Sequence, residues 1–180
     1  ADESFKILAL TFTNKAALEM SNRIIELIPE AKGRLFVGTF HSFCAEVLRN
    51  HGSSIGIKPD FTILSDDNDL NAIVSEIQSE YFSEFGDEKV KELKLLNVIK
   101  YFQENLCYSD EQVKLMMPET EFDDIFSWIY KRFQNRLQEL NALDFNSIVL
   151  LAYRLFKTNS LIAKLYRISY KYLCVDEFQD

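Results

Sequence analysis

The run Tyr172-Leu173-Cys174-Val175, closed by Asp176 and Glu177, constrains the fold more than any other segment of this chain. Its unbroken apolar character suits a strand buried on both faces, and such strands belong to parallel sheets covered by helices. Ligands of these sheets sit beyond the strands' carboxyl ends, where Asp176 and Glu177 fall. Side chains of an extended segment point alternately to opposite sides. One carboxylate can therefore hold a hydrated magnesium ion while its neighbour orients a water for attack on a terminal phosphate. An isolated Asp-Glu after an apolar run would more often do no more than end the strand. The opposite end of the chain weighs against that plainer reading.

There, Lys6 to Phe12 reads as a strand and Thr13 as the N-cap of a helix opened by Asn14. Ala17, Met20, Ile24, Leu27 and Ile28 recur at helical spacing until Pro29 and Gly33 stop the pattern. Leu35 to Thr39 reads as a second strand and His41 to Arg49 as a second helix ending near Gly52. Alternating strands and helices followed by a later apolar strand predict an α/β domain around a mostly parallel sheet. Phe12, flanked by Thr11, Thr13, Asn14 and Lys15, is an aromatic face among short donors and one cation. That arrangement suits single-stranded nucleic acid, since every base offers a stacking face and a helix N-terminus takes phosphates. A ring that merely plugs the core fits the same residues equally well.

The middle of the chain differs in both charge and period. Ser65 to Ile125 holds 16 acidic residues against 5 lysines, whereas the flanks carry a small net positive charge within an overall −8. That balance permits nucleic-acid binding by the flanks without demonstrating it. Helical patterns run through Leu70–Tyr81, Val90–Ile99, Val113–Met116 and Phe122–Phe133, with Ser65 or Asp66 and Ser109 as N-caps and Gly86 and Pro118 as punctuation. Trp128, Tyr130 and Phe133 beside Lys131, Arg132 and Arg136 could stack on DNA, but their helical spacing favours a core. The division expected is 1–64, an inserted helical subdomain over 65–140, and a return over 141–180.

Four strings in order, ILALTFTNKAALEM from Ile7, Gly38-Thr39-Phe40-His41-Ser42-Phe43, Leu143-Asp144-Phe145 and Asp176-Glu177-Phe178-Gln179-Asp180, resemble the UvrD/Rep/PcrA family of superfamily-one DNA helicases. The resemblance implies a partial RecA-like P-loop NTPase domain with a parallel sheet and an inserted, mostly helical subdomain. It assigns Asp176 to magnesium, Glu177 to the attacking water, and Gln179 to sensing the nucleotide, with Thr11 helping to couple that site to the DNA path. It assigns Phe12, Thr13, Asn14, Thr39, His41 and Ser42 to the DNA strand, and implies ATP and Mg2+ as cofactors and single-stranded DNA and duplex junctions as partners. Thr39 also reads as an N-cap.

The family's phosphate-cradling loop ends in Gly-Lys-Thr or Gly-Lys-Ser, and no such string occurs here. Gly33 to Thr39 has the glycine spacing but lacks the lysine, and its intervening residues are strand formers. The chain is expected to be a piece of a motor, inactive alone as an ATPase, with exposed sheet edges through which copies could associate. Two other readings remain open: the motor subunit of a helicase-nuclease, and a non-catalytic DNA-binding module. Cys44, Cys107 and Cys174 are scattered and odd in number, which favours a reducing cytoplasm over a disulfide framework. No apolar stretch is long enough to span a bilayer, and no signal peptide opens the chain.

Overall fold

The computed structural model describes residues 6–116 and 123–177. Its first strand, β1 (Lys6–Thr11), gives way to α1 (Asn14–Leu27) at Thr13, whose hydroxyl accepts the Ala16 N–H at 3.1 Å. The same device joins β2 (Leu35–Thr39) to α2 (Phe40–His51), where Thr39 accepts the Ser42 N–H at 3.1 Å. Each hydroxyl satisfies a donor that the first turn of a helix leaves orphaned. Gly33 to Thr39 is thus a turn feeding a strand rather than a phosphate loop. Of the apolar stripe on α1, Ala17 is buried and Met20 and Ile24 are half-buried, while Leu27 and Ile28 remain exposed.

β1 lies at the centre of a three-stranded parallel sheet, between β2 and β5 (Tyr170–Val175). Its register runs from Ile7 opposite Leu35 to Thr11 opposite Thr39 on one side, and from Ile7 opposite Tyr172 to Leu10 opposite Val175 on the other. Leu8, Ala9, Leu10 and Thr11 are buried, as a central strand requires. The expectation of a terminal strand buried on both faces is corrected here. Tyr172, Leu173 and Cys174 are exposed, because β5 is an edge strand and the described residues pack no layer over these positions.

A second, two-stranded parallel ladder pairs β3 (Thr62–Leu64) with β4 (Ala142–Asp144), strands too short to stand out from periodicity. Between them run α3 (Asp67–Phe85), α4 (Leu95–Glu104), α5 (Asp110–Met116) and α6 (Asp123–Glu139). Asp66 caps α3 by accepting the Asn68 N–H at 2.8 Å, and Gly86 ends it at φ +70°, a left-handed turn that costs glycine little. The continuous helix expected over Val90–Ile99 is broken. Glu88–Glu92 is a 3₁₀ turn, and the Gln78 amide donates to the carbonyls of Val90 at 2.6 Å and Leu93 at 3.1 Å, satisfying acceptors where the helical ladder stops. Ser109 opens α5, its hydroxyl accepting the Gln112 N–H at 3.3 Å. Pro118 and Phe122 lie outside the described residues.

Two apolar cores follow. Leu70, Ile77, Ile99, Phe102, Ile129 and Phe133 fill one within these helices. Val47, Leu48, Ile148, Ala152 and Leu155 fill the other, between α2 and α7 (Phe145–Thr158), with α8 (Ser160–Ser169) against its end. Truncating a ring such as Phe133 to alanine should cost about 3–5 kcal/mol. Tyr130 and Phe133 are fully buried, and the Trp128 ring meets Tyr81 edge-on at 5.2 Å, so these aromatics are packing groups. Their neighbouring cations are engaged too: Arg132 pairs with Glu80 at 2.7 Å and Arg136 with Glu76 at 2.9 Å.

Candidate nucleotide and nucleic-acid site

Because the three strands run in one direction and in register, their carboxyl ends come out side by side along one edge. β1 delivers Thr11, Phe12, Thr13 and Asn14 there, β2 delivers Thr39 and the start of α2, and β5 delivers Asp176 and Glu177. The edge is continuous, since the Asp176 N–H donates to the Leu10 carbonyl at 2.9 Å and extends the β1–β5 ladder past Val175. Thr11 therefore sits between the carboxylate end and the aromatic end. It is fully buried, and its hydroxyl donates to the Thr13 carbonyl at 2.9 Å, which fixes the turn that carries Phe12.

Phe12 itself is 67% exposed, so its ring is not a core plug. Thr13 and Asn14 beside it are exposed as well, at the N-terminus of α1. Thr39 is different. It is 8% exposed and its hydroxyl is committed to capping α2, while the Ser42 hydroxyl donates to the Thr39 carbonyl at 2.8 Å. Space is tight at this turn, because a methyl group on Gly38 would stand 2.5 Å from the Ser42 Oγ and 2.9 Å from the Phe36 ring, so any larger residue would have to displace them. His41 is half-buried, and burial holds its imidazole below the usual histidine value. Its ring meets the Phe145 ring edge-on at 5.3 Å, and Phe40 and Phe145 are both partly exposed. Thus the Gly-Thr-Phe-His-Ser string and the Leu-Asp-Phe string, far apart in sequence, become neighbours.

At the other end, Asp176 and Glu177 are exposed. Glu177 has φ +54°, one of three non-glycine residues with positive φ among those described. A glutamate held in the left-handed region costs of order 1–3 kcal/mol, and such strain gathers at functional positions. Among the described residues no three His, Cys, Asp or Glu side chains form a metal-binding group. Asp176 alone is a hard-oxygen ligand on a fixed backbone, a donor set that fits a cation completed by water and phosphate oxygens. Gln179 lies outside the described residues.

Sequence reasoning passed over one group, at the junction of β4 and α7. Gln103 on α4 is 3% exposed and directs its amide nitrogen at the Asp144 carboxylate, at 3.0 and 3.2 Å, and at the Ser147 hydroxyl, at 2.9 Å. Nothing in a lone glutamine on an amphipathic helix distinguishes it from a solvated one.

The model of the UvrD/REP helicase N-terminal domain family matches residues 2–180. A probable DNA helicase II homolog of Mycoplasma capricolum is 38% identical over 176 residues, covering 97% of this chain and 24% of that protein. The ATP-dependent DNA helicase PcrA of Staphylococcus epidermidis is 32% identical over 181 residues, and that of Bacillus subtilis 29% over 176 residues. These cover 98% of this chain and 24% and 23% of the respective relatives. The chain spans about a quarter of the length of the curated relatives it matches. No helix among the described residues is long and apolar enough to cross a membrane.

Proposed function

Because this chain belongs to the UvrD/REP helicase N-terminal domain family, we propose that it is part of the first motor domain of an ATP-dependent DNA helicase that translocates on single-stranded DNA and unwinds duplex. A cytoplasmic role in DNA repair or replication belongs to the same reading, as does a division at 1–64, 65–140 and 141–180. The observation that carries it is the shared strand edge, where the exposed Phe12 ring and the Asp176–Glu177 carboxylates flank the buried Thr11. A motor needs a nucleotide site and a strand site on one rigid body, so that a change at one displaces the other.

In this reading Phe12 stacks on a base, while the α1 N-terminus with Thr13, Asn14 and Lys15, and the α2 N-terminus with Thr39, His41 and Ser42, accompany the phosphates. Thr39 caps its helix as an acceptor and keeps its hydroxyl proton to donate, whereas the Ser42 hydroxyl proton already goes to the Thr39 carbonyl, so contact with phosphate falls to Thr39 and His41 and to the N–H groups of the turn. Asp176 would hold Mg2+ and Glu177 would orient water toward the terminal phosphate of ATP, with Gln179 sensing the nucleotide; Mg2+ supplies charge neutralisation for phosphoryl transfer. Duplex junctions are the natural partner of a motor on one strand, and the exposed β5 supports association of copies of the chain.

The test is fluorescence anisotropy with a labelled oligothymidine. Phe12→Ala should weaken binding about 5- to 150-fold, the equivalent of about 1–3 kcal/mol of base stacking. Unchanged affinity would remove Phe12 from the strand path.

A further inference from the structure

Gln103 belongs to the helices between β3 and β4, yet its amide serves residues outside them. It leaves its own carbonyl Oε1 buried without a partner, so a leucine of similar volume would escape that desolvation. What the glutamine gains over such a leucine is its two N–H donors. These go to the Asp144 carboxylate and the Ser147 hydroxyl, at 2.9 to 3.2 Å. Asp144 in turn caps α7, accepting the Ser147 N–H at 2.6 Å. The next residue, Phe145, opens α7 and places its ring edge-on to His41 at 5.3 Å. A line of direct contacts thus runs from α4 through the cap of α7 to the first turn of α2.

We propose that Gln103 is a positioning residue that couples the helices between β3 and β4 to the strand-contacting face, by clamping the Asp144 cap and thereby the Phe145–His41 ring pair. The consequence for DNA rests on the function proposed above; the geometric half does not. With the amide in place, Asp144 is held from two directions, by α4 and by the backbone of α7. Without it, a buried carboxylate retains only the backbone donor and turns to find water, which loosens the first turn of α7 and the ring it carries.

The two halves are read separately in the whole chain, with Gln103→Leu, Gln103→Glu and Phe145→Ala. Proton NMR of the imidazole reports the ring pair, since the chain has two histidines and His51→Gln assigns them. Phe145→Ala should remove the ring-current shift at His41, and Gln103→Leu should move the His41 signals toward those positions. The His51 signals, set by Tyr166 at 5.6 Å, should stay where they are. Gln103→Glu, which replaces the two N–H donors by acceptors, should show the same displacement when both chains are read at one alkaline pH. Oligothymidine affinity should fall about fivefold in Gln103→Leu, a stacking contact's worth.

His41 signals at their wild-type positions in a folded Gln103→Leu chain would overturn the proposal. If that variant does not fold, Gln103→Glu with His41 signals at their wild-type positions at the same alkaline pH would overturn it equally. Displaced His41 signals with unchanged affinity would uphold the positioning role and remove His41 from the strand path. An affinity loss in Phe12→Ala beside that result would leave the rest of the strand site standing.

Discussion

Replacing Asp144 by alanine separates two contributions that the fold places on one carboxylate. As an N-cap it accepts the Ser147 N–H at 2.6 Å, and loss of such a cap costs about 1 kcal/mol. Asp144 is also 3% exposed and takes the Gln103 amide at 3.0 and 3.2 Å, so the alanine strands a buried donor, at about 1–3 kcal/mol more. The low end of that range applies to the extent that relief of the carboxylate's own desolvation offsets the loss. Asp66 is the internal control, because its side chain caps α3 at 2.8 Å from an exposed position, with no second partner among the described residues. Asp144→Ala should therefore cost roughly 2–4 kcal/mol and Asp66→Ala about 1 kcal/mol. In a chain of this size about 1 kcal/mol moves the thermal midpoint by about 2–4 °C. Melting followed by far-UV circular dichroism should show drops of roughly 4–16 °C and about 2–4 °C. Equal drops would refute the argument, since capping alone would then account for Asp144.

Tyr130→Phe should cost about 1–3 kcal/mol in urea denaturation, because the buried hydroxyl donates to the Cys107 carbonyl at 2.5 Å and the phenylalanine leaves that acceptor unmet; an unmoved midpoint would contradict this. Burial pushes the Cys44 thiol up to about 11, whereas Cys174 is exposed. Iodoacetamide near neutral pH should therefore label Cys174 well before Cys44, as peptide mass spectrometry can read, and equal rates would argue that Cys44 is open to solvent. Burial also holds His41 below its ordinary 6.5, so below that pH the unfolded chain binds more protons than the folded one. The contribution to stability is present above pH 6.5 and lost as pH falls toward the lower folded value. His41→Gln should flatten that part of the stability profile, and an unaltered slope would assign it to other groups.

Much of the fold was legible because its signals are local. Thr13, Thr39 and Asp66 announce helix starts by side-chain chemistry that acts within three residues, and the boundaries of β2 and α3 follow from it. The sheet's direction was legible as well, since apolar strands alternating with helices leave few topologies. Three things were not. The exposure of β5 depends on what covers a strand, which composition does not encode. The break before α4 is met by Gln78, a long-range donor to the carbonyls that the helical ladder leaves there. Gln103 owes its role to a contact forty-one residues away, beyond any periodicity. At the site, Phe12 was readable as one of two alternatives, and its exposure removes the core plug from the pair, whereas the meeting of His41 with Phe145 needed the fold.

The short ladder of β3 and β4 bears on how far this chain could be trimmed. Parallel neighbours cannot be joined by a hairpin; a returning segment of about a dozen residues or more has to carry the chain back to the starting side. Stitching Leu64 to Ala142 through a tight turn would reverse or unpair β4 and pull Asp144 away from α7. The helices between the two strands are thus a connection that the topology obliges the protein to make, free to vary in size around Gln103 but not to vanish. The least that a minimised version could keep is α6, which already runs into β4, together with α4, which carries the Gln103 amide to Asp144.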